Sequence, residues 1–168
     1  MRRAGLSLIP LALLFGQAAP AAARDALGVF GSWGTFRDAP PGRCYAIAEP
    51  ARQARRGAPW RPFAAISYWP QGGVRGQLHI RLRETKQRGA RVYLTLGDRR
   101  FQLVAGRADA WAPDARIDAA IVAAMRSATG MRVETRSENG RPMTDVYRLR
   151  GAATAIDAAA VGCARPAA

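Results

Sequence analysis

The segment QLHIRLR (77–83) alternates without a break. Leu78, Ile80 and Leu82 fall on one side, and His79, Arg81 and Arg83 on the other. Side chains of a strand point to opposite faces with a period of two, whereas a helix repeats at 3.6, so the segment is a half-buried strand. RVYLTLG repeats the device with Val92, Leu94 and Leu96, and GDRR turns the chain into FQLVAG. Upstream, VFGSWGTF reads as a first strand and RCYAIAE as a second, separated by the turn chemistry of RDAPPGR. FAAISYW is a third strand, closed by PQGG. The texture changes at APDARIDAAIVAAMRSATG, where Ile117, Ile121 and Met125 recur at helical spacing. Asp114 and Asp118 sit in its first turn, where the helix dipole favours carboxylates, and Gly130 is a natural stop. Two further strand-like runs flank Asn139-Gly140, the strongest short hairpin signal in the chain, and AATAIDAAA is a last short helix before Cys163. This order predicts a mainly β fold: an antiparallel β-sandwich or partly open barrel with one amphipathic helix and a short C-terminal helix.

The N-terminus has the three parts of a secretory signal. Arg2 and Arg3 give a positive start, Leu6 to Phe15 an apolar run, and Ala21 and Ala23 an A-x-A cleavage pattern. The apolar run is shorter than the roughly 20 residues a spanning helix needs. The expectation is a signal peptide over 1–23 and one β-rich domain over 24–168, exported to the periplasm, the outer surface or the medium. No transmembrane segment is expected in the mature form. Cys44 lies too far past the apolar run to be a lipid attachment site. In an oxidising compartment the two cysteines of the chain, Cys44 and Cys163, are expected to pair as a structural disulfide.

The formal charge is +14, and loss of Arg2 and Arg3 with the signal leaves +12; Lys86 is the sole lysine among 26 basic residues. Such a balance draws a protein to anionic surfaces, in a salt-dependent way. Nucleic acid is not the expected partner, because the chain is exported and carries no recognition-helix or stacking-aromatic motif. An anionic envelope component or a surface protein is expected instead. The loop ARQARRGAPWRP sets Arg52, Arg55, Arg56 and Arg61 around Trp60, a combination that binds phosphates and carboxylates with cation–π support. The plainer reading, and the one favoured, is a solvated loop whose Trp60 tucks into the core. The basic run RLRETKQRGAR (81–91) reads as the tip and outer face of a hairpin. Trp33, Trp69 and Trp111 read as core residues.

No catalytic set, metal site or cofactor is expected. His79, the sole histidine, shares a face with arginines that looks toward solvent. One histidine and two cysteines make no zinc-ligand spacing, and neither a phosphate loop nor a G-x-S-x-G elbow is present. The alternative is an envelope hydrolase using carboxylates such as Asp109, Asp114 and Asp145, which lie near turns or helix starts.

The stretch from AWAPDARIDAAIVAAMR through GMRV and TDVYRLRG to AIDAAAVGC resembles the invasion-associated locus B family of exported Gram-negative proteins. FGSWGTF, CYAIAEP and AAISYWPQGGVRGQL extend the resemblance over nearly the whole mature chain. It implies a compact β-rich domain in the periplasm or at the outer surface, with a link in pathogenic members to host-cell entry, and it carries over no catalytic residue set. Some members carry a further cysteine after the first tryptophan; GTFRDAPPGR has none.

Overall fold

The computed structural model describes residues 24–38, 42–52 and 57–164, so the expected signal segment lies outside it. Ten strands form one antiparallel sheet in the order β1-β2-β3-β4-β5-β8-β7-β6-β9-β10, curled into a half-barrel. They are β1 (Arg24–Phe30), β2 (Trp33–Asp38), β3 (Arg43–Ala48), β4 (Phe63–Trp69), β5 (Val74–Arg81), β6 (Val92–Leu96), β7 (Arg99–Ala105), β8 (Asp109–Trp111), β9 (Gly130–Arg136) and β10 (Pro142–Arg148). Two helices, α1 (Ala115–Met125) and α2 (Ala152–Ala164), complete the fold. Of the two architectures the sequence allowed, the single continuous sheet is the partly open barrel.

The strict alternation of β5, β6, β7 and β10 sorts residues between two faces. Leu78, Ile80, Val92, Leu94, Leu96, Phe101, Leu103, Met143 and Tyr147 all face one buried cluster. That inner face is covered by the helices: α2 lies on β1–β4 and α1 on β5–β7. Asp114 caps α1 by accepting from the Ile117 backbone N–H at 2.8 Å. Asp118 does more than complement the dipole. It is buried, and its carboxylate accepts from the Leu78 backbone N–H at 2.8 Å. Along β5, strand β8 pairs only with His79–Arg81, so Asp118 satisfies the N–H just past the end of that short strand.

Three local readings are corrected by the pairing. VFGSWGTF is not one strand: Gly31, at φ +60°, turns the chain between β1 and β2. Residues 81–91 are not a hairpin tip, because β8 and β7 lie between β5 and β6. This crossing segment is tied down instead, with Lys86 N donating to Arg107 O and Gln87 N to Arg136 O. Trp69 and Trp111 are not core: both are half-exposed on the outer face, and only Trp33 is fully buried.

The curl brings the first hairpin against the last strand. Trp33 Nε1 donates to Arg148 O at 2.9 Å, Ser32 N to Arg150 O, and Ala51 N to Val146 O. Gly31 and Gly151 make this approach, for a Cβ on Gly151 would lie 1.9 Å from Phe30 O. The expected disulfide is present. Cys44 in β3 joins Cys163 in α2, 119 residues later, with their Cα atoms 5.6 Å apart. Gly162 beside it lets α2 sit on Leu27, where a Cβ would come within 2.4 Å of Leu27 Cδ1.

Candidate functional site

The carboxylates singled out in the sequence are not brought together. Asp114 caps a helix. Asp109, on the outer face, is held by His79 Nε2 at 2.8 Å through one oxygen and by Arg81 through the other. Asp145 points inward from β10, is 1% exposed, and is ion-paired with Arg83. Burial pushes the Asp145 carboxyl above the usual carboxylate range, although Arg83 pulls the other way. Its Oδ2 and the hydroxyl of Tyr147, also buried, have no hydrogen-bond partner among the described residues. Among those residues no three His, Cys, Asp or Glu side chains gather as metal ligands. No described helix is long and apolar enough to cross a membrane.

His79 does lie on the outward face, as its alternation demands, but it is shielded there. Its ring stacks on Trp111 with centroids 5.2 Å apart and meets the edge of Phe63 at 5.0 Å. A hollow of about 270 Å³ beside the disulfide is lined by Tyr68, Trp69, Val74, Arg75 and Cys163. No two titratable groups with perturbed pKa values meet in it.

The outer face divides into a charge-matched region and a basic one. On β1–β5 and β8 the outward arginines are matched by carboxylates, whereas Arg75 of β5, which lines the hollow beside the disulfide, has no carboxylate partner among the described residues. Arg24 and Arg43 share Asp38, Arg61 pairs with Glu49 and Arg81 with Asp109, while the Arg37–Asp25 pair lies on the helix-side face in register with Cys44. Several also lie over rings: Arg43 over Tyr45 at 4.2 Å and Arg81 over Trp60 at 4.7 Å.

On β7, β6, β9 and β10 that matching stops. The pairing Thr95↔Arg100, Thr95↔Arg132 and Val146↔Arg132 sets Arg100, Thr95, Arg132 and Val146 in one row across four strands. The next row holds Gln102, Tyr93, Glu134 and Thr144. Arg100 lies over the Tyr93 ring at 3.9 Å. Arg91, just before β6, and Arg148, at the end of β10, are exposed on the same side. Among the described residues Arg91, Arg100 and Arg148 have no carboxylate partner, and Arg132 has only Glu134, at 3.8 Å. The acid that β10 does carry, Asp145, faces the core.

Of the loop residues read as a binding segment, Arg55 and Arg56 lie outside the described residues. Trp60 is half-buried: its Nε1 donates to Leu82 O at 2.7 Å and its ring carries Arg81. Arg61 is exposed but held by Glu49. Arg52 is exposed and lies next to Ala51, whose N–H bonds Val146 O, so the start of this loop adjoins the basic rows at the edge of β10. Sequence reading missed Arg91, Arg100, Arg132 and Arg148. Their signal was present, because the alternation that puts Phe101 and Leu103 inside puts Arg100, Gln102 and Val104 outside. The chain matches no protein-family model, no curated protein and no solved structure.

Proposed function

We propose that the protein is a non-catalytic, exported binding module that takes an anionic partner of the cell envelope or of a host surface on the basic half of its outer sheet face. The observation that carries this reading is the row Arg100–Thr95–Arg132, two outward arginines flanking one threonine with a single glutamate nearby. Guanidinium groups with no internal carboxylate keep their full attraction for phosphate, sulfate or carboxylate on a partner. Arg52 extends the same face past β10. Export follows from the signal pattern of residues 1–23, and it agrees with a disulfide, which persists in oxidising compartments. The resemblance to the invasion-associated locus B family points to the same compartment.

Retention on a heparin matrix over a salt gradient tests the reading. The double variant Arg100→Ala/Arg132→Ala is expected to elute at clearly lower salt than the parent, while Arg24→Ala/Arg43→Ala elutes close to it. Equal elution of the two double variants would remove the basis for placing the site on β6, β7, β9 and β10.

A further inference from the structure

We infer that the partner of this basic face is a phosphate-bearing lipid surface, an inference that rests on the binding reading above. The first observation is shape. Arg100 and Arg132 share one row of an outward sheet face with Arg91 and Arg148 to either side of it, and the hollows of about 270 and 520 Å³ lie elsewhere, around Trp69 and Val74. A small anion is bound where donors converge in a concave site. Rows of separated guanidinium groups suit many anions presented side by side.

The second observation is apolar. Val104 is 58% exposed and Val146 is 47% exposed, and both point out from this same face. Val146 ends the row of Arg100 and Arg132 on β10, and Val104 stands on the opposite margin, on β7. A soluble polyanion offers such side chains nothing. A lipid surface offers both things at once: headgroup phosphates for the guanidinium groups and an apolar boundary just beneath for the valines. Tyr93 sits in the middle of the face under Arg100, an amphipathic ring of the kind that settles at headgroup level. The three features occupy one surface with the geometry of an interfacial contact: charge spread along it, apolar tips at its margins and an aromatic ring at its centre.

Each arginine close to an anionic leaflet contributes roughly fivefold in binding. The experiment is co-sedimentation of the disulfide-bonded protein with vesicles of mixed phosphatidylglycerol and phosphatidylcholine, against vesicles of phosphatidylcholine alone. Binding is expected to the anionic vesicles only, to weaken as salt rises, and to fall roughly 30-fold in Arg100→Ala/Arg132→Ala. Val104→Ser/Val146→Ser, both at exposed positions, is expected to weaken vesicle binding severalfold and to leave heparin retention at the parent value. If anionic vesicles are not bound while heparin still is, the lipid inference falls and the binding reading stands. If valine substitution has no effect on vesicle binding, the interfacial contact is likewise overturned. Loss of binding to both heparin and vesicles overturns the inference and the reading beneath it together.

Discussion

The two halves of the outer sheet face use the same residue type for different ends. On β1–β5 and β8, the outward arginines Arg24, Arg43 and Arg81 are tied to aspartates and laid over aromatic rings, so that surface is nearly balanced in charge and braced. On β7, β6, β9 and β10 arginine repeats with almost no acid beside it. Exposed ion pairs are worth at most about 1 kcal/mol each, so the matched half is not there chiefly for stability. What the matching does is leave the outward arginines of that half with carboxylates already beside them. The difference teaches that net charge alone says little about where a basic protein is sticky; pairing decides that.

The sharpest way to probe the comparison is to disturb the acid that faces inward. Asp145→Ala leaves Arg83, only 16% exposed, without its partner, and is expected to cost about 3 kcal/mol, read as a lower urea midpoint. An effect no larger than that of removing a surface carboxylate would mean that β10 gains nothing from turning Asp145 away from its basic face. Next in size is the staple. Cys44→Ala/Cys163→Ala is expected to lower stability by about 2–4 kcal/mol, while heparin retention of the folded variant stays that of the parent. Loss of retention would show that the basic half depends on the braced one. The smallest change in stability, under about 1 kcal/mol, is expected for Asp38→Asn, which releases Arg24 and Arg43. Its effect should appear instead as later elution from heparin. An unchanged elution would break the claim that carboxylate matching is what silences the first half.

The strands were legible wherever alternation was strict, as in QLHIRLR and RVYLTLG, because burial of one face forces a period of two. The disulfide was legible because the chain has two cysteines, which leave one intramolecular pairing. Strand β8 was not: three residues carry no periodicity, and its place between β5 and β7 depends on pairing made far along the chain. The division of charge was hidden for a related reason. Arg24 meets Asp38 and Arg81 meets Asp109 through register, at separations of 14 and 28 residues. An arginine in the sequence gives no sign of whether the fold will hand it an acid. The same register hides the edge of β10, where Arg52 arrives beside the basic rows from a loop read as separate.

The contact of Gly31 with Gly151 has a consequence for how the chain reaches this structure. The first hairpin is local and can form early, but the groups that fix it and the adjoining β3 arrive late: Arg148 O for Trp33, the Gly151 backbone beside Gly31, and Cys163 for Cys44. All lie well over a hundred residues downstream. Such long-range closure slows folding and leaves intermediates with open strand edges. The element made first is therefore among the last to be locked, and the order of synthesis runs opposite to the order of completion. A chain truncated before α2 should keep its hairpins in sequence and lose the half-barrel they close.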